Sequence, residues 1–299
     1  MRYVFVILVM AFILSSCERE THVAIPPQAP QLVVESQQGQ NISPEAWISR
    51  TRSATDPLPQ AGQPNPYIVK NAIVCLFEND VFRDTLRYDT TERYRSTSAT
   101  IQPGKTYRIQ MSAPNFPSAE AVSFTPTLVP INNLTLTHNA RINLEGNIQD
   151  QLTMSFNDNA STEDYYLVRI SNANGDFLVC VNTNDKDVEK LVNEDPFYPD
   201  DCLQGDRLLL SDVNFNGSLK TIIFFVDSSY LDPVNVSGTI KRAKVELLHI
   251  NKDYYNYIKS LNTYENSMDN PFAEPLNLYT NVKNGYGLFT TYARAVDSL

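Results

Sequence analysis

Short apolar segments separated by polar residues recur along the first half of the chain. They include "QLVVES" (31–36), "EAWISRT" (45–51) and "YIVKNAIVCLFEND" (67–80), and then "VFRDTLRY", "ERYRSTSAT", "KTYRIQMSAP" and "EAVSFTP". Short runs rich in β-branched and aromatic side chains, with turn residues between them, are typical of strands in a sandwich. The pattern predicts a first β-sandwich that ends near Thr127.

A second set of strands follows: "ARINLEG", "QLTMSFND", "DYYLVRISN", "DFLVCVNT", "DRLLLSD", "KTIIFFVDSS" and "KRAKVELLHI". Asn174-Gly175 predicts a hairpin turn between "DYYLVRISN" and "DFLVCVNT", because Asn-Gly favours the positive φ angles of tight hairpins. Asn284-Gly285 predicts a second hairpin, between "PLNLYTNVK" and "YGLFTTYARA". We expect this last hairpin to close the second sandwich.

One segment has a helical period. Tyr254, Tyr257, Ile258 and Leu261 have the spacing of one helix face, and Asn251 is a suitable N-cap. A short helix is also predicted over 187–193. The fold class is therefore predicted to be mainly β, with two β-sandwich (Ig-like or transthyretin-like) domains over 31–127 and 128–299 and one or two short helices in the second.

The N-terminus predicts export and lipid anchoring. Arg2 precedes an apolar run that is too short to span a bilayer but has the proportions of a signal peptide, residues 1–16. The run ends in "LSSC", which resembles a bacterial lipobox with Cys17 as the lipidated residue. Residues 17–30 are charged and then rich in Pro and Gln, which favours an extended tether. Glu18 and Glu20 resemble an acidic surface-export signal, so we expect a lipid-anchored outer-membrane protein that faces outward.

A resemblance to a known family lies near the C-terminus. The segment "YYNYIKSLNTYENSMDNPFAEPLNLYTNVKNGYGLF" is similar to the end of a Bacteroidota lipoprotein family catalogued as domain of unknown function 4249. Family members carry a Tyr-rich helix, an N-P-F-x-E-P connector and a G-x-G-x-F motif. "SQQGQNISPEAW", after the first predicted strand, departs from the family pattern. The resemblance implies a cell-envelope lipoprotein, often encoded beside a TonB-dependent transporter, and it implies no activity.

Composition and motifs narrow the function classes. A formal net charge of −10 argues against nucleic acid, which requires a basic surface. The three His residues, His22, His138 and His249, show no metal-ligand spacing, and no nucleophile elbow is present. We therefore expect no enzyme, no metal site and no cofactor.

The acidic segment 182–205 is the predicted contact loop for a ligand or partner. Long loops on rigid scaffolds commonly carry function. Its candidate contact residues are Asp195, Phe197, Tyr198, Asp200 and Asp201. Clustered carboxylates suit Ca²⁺, although the EF-hand pattern is missing. Cys180 and Cys202 flank the segment and are predicted to form a disulfide, whereas Cys75 is expected to be a buried free thiol.

These observations favour a binding protein, an accessory of a TonB-dependent nutrient transporter held at the membrane by its lipid anchor. A fimbrial or adhesin subunit is the alternative, since Bacteroidota pilins are also lipoproteins with two β-sandwiches. An envelope hydrolase is a third hypothesis, and it needs a polar catalytic cluster that no sequence motif indicates.

Overall fold

The computed structural model describes residues 29–53, 56–175, 180–191, 203–231, 234–236, 239–267 and 276–299. Within these ranges the protein is mainly β, with large curled sheets and one α-helix. That helix is α1 (Lys252–Ser267), and two short 3₁₀ turns lie at Asp212–Asn214 and Ser228–Leu231. The strands are β1 (Leu32–Gly39), β2 (Glu45–Arg50), β3 (Ile73–Glu78), β4 (Val81–Tyr88), β5 (Tyr94–Arg95), β6 (Thr106–Ser112), β7 (Ala119–Phe124), β8 (Asn133–Ile142), β9 (Ile148–Asn157), β10 (Tyr165–Asn172), β11 (Cys180–Asn182), β12 (Leu203–Gln204), β13 (Leu208–Ser211), β14 (Leu219–Asp227), β15 (Val234–Val236), β16 (Thr239–Lys241), β17 (Ala243–Ile250), β18 (Val282–Lys283) and β19 (Gly285–Ser298).

The strands form three sheets among the described residues. The largest has the order β13-β10-β17-β19-β1-β2-β5-β4-β3-β6-β7-β18, the second β12-β11-β14-β9-β8, and the third β15-β16. β19 lies inside the largest sheet, where it pairs in parallel with β1 and antiparallel with β17. The C-terminal strand therefore joins the strands of the first half of the chain to those of the second.

The apolar core divides into three clusters. The first lies among β1–β7 and includes Phe289 of β19. The second lies between β9 and β14 on one side and β10 and β17 on the other. The third lies under α1 and includes Leu288 and Tyr292 of β19. Successive residues of a strand point to opposite faces, so β19 delivers Leu288 and Phe289 to different clusters.

The predicted helix is confirmed, and so is its N-cap. The backbone N–H of Tyr254 donates to Oδ1 of Asn251 over 3.0 Å, which satisfies one of the unpaired amides of the first turn. Tyr254 and Ile258 are buried against the sheet, while Tyr257 and Leu261 are half-buried. The helix predicted over 187–193 is wrong for its described part: residues 187–191 are not helical, and Val188 instead forms a bridge with Leu210.

The hairpin predicted at Asn284-Gly285 is wrong in its strand pairing: β18 pairs with β7, whereas β19 pairs with β1 and β17. Local sequence places the turn, but it does not encode which strands pair across it. The turn at Asn172–Gly175 exists, and β11, the described part of the strand after it, pairs with β12 and β14. Residues 176–179, which follow this turn directly, lie outside the described residues, so their pairing with β10 stays a prediction. The first hairpin, β1–β2, forms despite the unusual residues between its strands.

Candidate functional site

An open groove lies where α1 meets β1 and β19. Its volume is about 620 Å³, within the range of small-ligand sites. Tyr257 and Tyr264, two turns apart on α1, form one wall, and Tyr286 of β19 lies in the opposite wall. The segment Leu276–Thr280 forms a third side. We call this feature the tyrosine groove.

Four polar side chains of the tyrosine groove are free to bind a ligand, whereas Tyr279 donates to Asp253 and Thr280 accepts from the Val282 amide. Within the described ranges, the hydroxyls of Tyr257, Tyr264 and Tyr286 have no hydrogen-bond partner, and neither does the exposed carboxylate of Glu35. Burial, followed by the nearby carboxylates of Glu35 and Glu265, raises the pKa of the Tyr257 hydroxyl, so it stays protonated and can donate. No Lys, Arg or His is among the described residues that line the groove.

Gly287 gives the groove a floor of bare backbone. Its φ of +103° is unfavourable for any residue with a side chain, and an added Cβ would lie 1.9 Å from the carbonyl oxygen of Val34. The parallel pairing of β19 with β1 therefore depends on this glycine. The second glycine of the G-x-G-x-F motif, Gly287, is thus required for close packing of β19 against β1 at the floor of the groove.

A second polar cluster is buried between β10, β17 and the 3₁₀ turn that follows β13. Carboxylate oxygens of Asp158, Asp164 and Asp212 lie within 4.8 Å of one another. His249 contacts Oδ1 of Asp164 through Nε2 at 3.0 Å and the carbonyl oxygen of Thr127 through Nδ1 at 2.8 Å. All three carboxylates and the imidazole are more than nine-tenths buried.

The pKa values of two of these carboxyls shift in opposite directions. Burial raises the pKa of Asp164, but hydrogen bonds with His249 and Thr162 outweigh it and hold the pKa below its usual value. Burial, together with the charges of Asp158 and Asp164, raises the pKa of Asp212. Opposite pKa shifts are expected for neighbouring buried carboxyls, because ionising all of them at once costs free energy through desolvation and mutual repulsion.

The carboxylate cluster is already satisfied by the protein itself. Asp158 accepts hydrogen bonds from the Tyr166 hydroxyl at 2.6 Å and the Gly217 amide at 2.7 Å. Asp212 accepts one from the backbone N–H of Asp164 at 2.9 Å. Three carboxylates are a donor set that Ca²⁺ accepts, yet these oxygens serve to hold loops together, so the geometry indicates a structural cluster.

The cluster is not arranged for nucleophilic catalysis. In a catalytic triad one imidazole nitrogen faces the nucleophile and the other faces the orienting carboxylate. Here one nitrogen of His249 faces Asp164 and the other faces a main-chain carbonyl. No imidazole nitrogen is left to receive a proton from a hydroxyl or thiol.

The described part of the acidic segment is bound to the scaffold. Asp185 and Asp187 both pair with the buried ammonium of Lys220, at 2.8 and 2.5 Å. Glu189 accepts a hydrogen bond from the Tyr255 hydroxyl and pairs with Lys259 at 3.2 Å. All three carboxylates are therefore engaged by ammonium groups of the protein, with Lys220 shared by two of them, which makes them poor candidates for Ca²⁺ binding.

The remaining predicted site residues lie outside the described residues. These are Cys17, Asp195, Phe197, Tyr198, Asp200, Asp201 and Cys202. Cys180 is disulfide-bonded, but its pairing with Cys202 stays a prediction. Cys75 is free, as expected, but it is half-buried and not buried. Its side chain points away from the first core cluster, 3.9 Å from the Thr85 hydroxyl.

Sequence reasoning missed both of these sites. The Tyr-rich helix and the G-Y-G segment were visible, but nothing local showed that they meet Glu35 of β1. The three aspartates share no spacing motif, and His249 looked like the isolated end of a strand. The nearly continuous apolar runs of β10 and β17 indicate buried strands, but they do not show which buried residues meet.

The described structure is that of a mainly-β protein with one helix packed on a large sheet and an open aromatic groove at their junction. The chain belongs to the family described as Domain of unknown function (DUF4249), whose model matches residues 18–298. No curated protein matches it. None of its described helices has the length and apolarity needed to cross a membrane.

Two solved structures share weak similarity with the chain. One is a protein of Corynebacterium diphtheriae described as membrane anchored, with 11% identity, a TM-score of 0.22, and coverage of 75% of this chain and 55% of that chain. The other is a Salmonella alpha-2-macroglobulin mutant, with 11% identity, a TM-score of 0.23, and coverage of 78% of this chain and 14% of that chain. The chain thus spans about half of the first protein and a small part of the second, and at these TM-scores neither supports a functional argument.

Proposed function

We propose that this protein is a lipid-anchored binding protein of the bacterial outer membrane, an accessory of a TonB-dependent transporter that uses the tyrosine groove to hold a ligand. The single observation that carries the binding role is the groove itself. It is open, aromatic, and lined by hydroxyls and a carboxylate without partners among the described residues. Sites of this kind bind small ligands through contacts with the faces of aromatic rings and through a few polar groups that orient the ligand.

The finer architecture belongs to the same proposal. We infer two β-sandwich units, over 31–127 and 128–299, tethered through residues 17–30. The separation of the first and second core clusters supports this division. β19 and Val282, which come from the second range, contribute to the first unit, so the two units would not fold independently.

The anchor explains why weak contacts with a transporter would suffice. A flexible tether of about 14 residues spans on the order of 20 Å, and such tethering gives effective concentrations in the millimolar range. A fimbrial subunit would have to leave the membrane, so it gains nothing from a short tether. The buried carboxylate cluster offers a hydrolase no free base, because both nitrogens of His249 are bonded.

The test is affinity purification of the protein from gently solubilised outer membranes. We expect a TonB-dependent transporter to co-purify with the wild-type chain. The Cys17→Ala variant should be soluble, should lose labelled-palmitate incorporation, and should recover far less transporter. Recovery of the wild-type protein in sheared filaments without any transporter would instead support the adhesin alternative.

A direct functional test uses the acidic segment. Trimming 182–205 should impair nutrient uptake, but Asp185 and Asp187 must be kept because they pair with Lys220. A trim restricted to 192–201 leaves these ion pairs in place and keeps Cys202, the predicted disulfide partner of Cys180. Unchanged uptake in a folded trimmed variant would remove this segment from the transporter contact.

A further inference from the structure

The tyrosine groove excludes anionic ligands by its charge. Glu35 is the only charged residue among the described residues that line it. A phosphate or carboxylate would meet an unpaired carboxylate and no cation among the described lining residues, which disfavours binding in a partly desolvated site. Arg207, whose charge reaches Tyr257, is paired with Glu265. The ligand must therefore be neutral or cationic.

The main chain of the groove is not available for pairing with a peptide along β1. Val33, Val34 and Glu35 pair with β2 on one side and with β19 on the other. Peptides that bind sheets add a strand to a free edge, and β1 has none at this position. Recognition here must use side-chain faces and hydroxyl groups.

The available groups match the surface of a sugar. Tyrosine rings offer apolar faces with a polar tip, and the C–H face of a pyranose ring stacks on such a surface. A tyrosine hydroxyl both donates and accepts, as sugar hydroxyls do, and an ionised carboxylate accepts from two of them. The groove provides Tyr257, Tyr264 and Tyr286 for stacking and donation and Glu35 for acceptance.

The groove is also shaped for a short chain of rings. The aromatic residues occupy opposite walls, α1 on one side and β19 on the other, and the bare backbone of Gly287 lies between them. A volume of about 620 Å³ accommodates more than one sugar ring. We propose that the tyrosine groove binds a neutral oligosaccharide, with rings stacked on Tyr264 and Tyr286 and hydroxyls bonded to Glu35. This inference shares one assumption with the proposed function, namely that the tyrosine groove is the binding surface.

The test uses the full chain carrying Cys17→Ala, secreted and purified without detergent. The probes are maltohexaose, cellohexaose, xylohexaose, mannohexaose and laminarihexaose, followed by saturation-transfer NMR and calorimetry. Oligogalacturonate is the anionic probe and decaproline the peptide probe. We expect at least one neutral hexasaccharide to bind with a Kd of about 1 mM or tighter, and oligogalacturonate not to bind.

Variants then place the binding in the groove. Tyr264→Ala and Tyr286→Ala should each weaken binding about tenfold or more, a loss of about 1.4 kcal/mol. Both side chains are exposed, so the fold should survive. Glu35→Gln and Tyr286→Phe should weaken it several-fold. Tyr230→Ala is the matched control, because Tyr230 is equally exposed and lies outside the groove.

Three results would overturn the proposal: no signal from any neutral hexasaccharide at about 10 mM, glycan binding that persists in Tyr286→Ala, or Tyr286-dependent binding of decaproline instead. None of these bears on transporter co-purification, which needs no added ligand. Recovery of the transporter without glycan binding would support the proposed function and contradict this inference. Glycan binding without recovery of the transporter would support this inference and contradict the proposed role as a transporter accessory.

Discussion

Asn281 and Phe289 are joined by a pair of hydrogen bonds between one side chain and one backbone. Oδ1 of Asn281 accepts from the N–H of Phe289 at 3.1 Å, and Nδ2 donates to its carbonyl oxygen at 2.8 Å. Nδ2 also lies 3.2 Å from the carbonyl oxygen of Val122 on β7. The Asn that precedes Val282 thus acts as a bridge between β7 and β19, at the point where Phe289 enters the first core cluster.

Replacing Asn281 should therefore destabilise the fold. Asn281→Asp keeps the acceptor but loses the donor, and it leaves carbonyl oxygens facing a carboxylate. We expect a loss of about 1–3 kcal/mol in the free energy of unfolding, measured by urea denaturation. Asn133→Ala is the control, because Asn133 is exposed on the edge strand β8 and its side chain bonds nothing in the described structure. Equal stability of the two variants would contradict this role.

Alanine substitutions at two glycines with positive φ should distinguish the cost of backbone strain from the cost of a steric clash. Gly287 has a φ of +103° and a backbone oxygen 1.9 Å from the position of an added Cβ, whereas Gly146 has a φ of +90° and nothing within 4 Å. Gly146→Ala should cost only the conformational strain, about 1 kcal/mol. Gly287→Ala should cost about 3 kcal/mol or more, because β19 must move away from β1.

The readout for this pair is thermal unfolding of the purified variants, together with their secreted yield. Gly146→Ala should give a cooperative transition at a slightly lower temperature. Gly287→Ala should be poorly secreted or should melt far earlier. Similar melting temperatures for both would show that β19 can shift without cost, and the floor of the tyrosine groove would then not be fixed.

The disulfide of Cys180 gives a third prediction. Its pairing with Cys202 would close a loop of about 20 residues, which contributes roughly 3 kcal/mol in the chain-entropy model. Mass mapping without reductant should recover a crosslinked Cys180–Cys202 peptide, and Cys75 should alkylate because it is free and half-buried. Alkylation of Cys202 in the native protein would exclude this pairing. Cys202→Ser should lower the unfolding free energy, whereas Cys75→Ser should have a small effect.

Sequence reasoning succeeded where the signal is local. The alternation in β1 and the helical period of α1 are properties of neighbouring residues, and the cap of Asn251 lies next to the turn that it stabilises. The predicted strand pairing was wrong at Asn284-Gly285, because a tight turn does not require the flanking strands to pair with each other. The tyrosine groove could not be predicted either, since Glu35 meets Tyr257 only after β19 has paired with β1.

The buried carboxylates give opposite pH dependences for neighbouring residues. The pKa of Asp164 is lowered from 3.8 in the folded state, so its ionised form stabilises the fold above that pH and the contribution is lost as the pH falls through the lowered value. The pKa of Asp212 is raised from 3.8, so its protonated form stabilises the fold at acid pH. That contribution is lost as the pH rises through the raised value, and at neutral pH the fold carries the repulsion among the carboxylates.

Neutral amides should separate the two roles. Asp212→Asn keeps an oxygen to accept from the Asp164 amide and removes the repulsive charge, so we expect stabilisation of about 1 kcal/mol at pH 7 that disappears near pH 3. Asp164→Asn weakens the bond to His249 and should destabilise by about 2 kcal/mol at pH 7, with a smaller loss at pH 3. Urea denaturation of both variants at the two pH values provides the measurement. If Asp212→Asn instead destabilised the fold at pH 7 as much as Asp164→Asn does, the charge of Asp212 would be stabilising. Asp212 would then be held in its ionised form by a partner, and the repulsion inferred among the three carboxylates would be wrong.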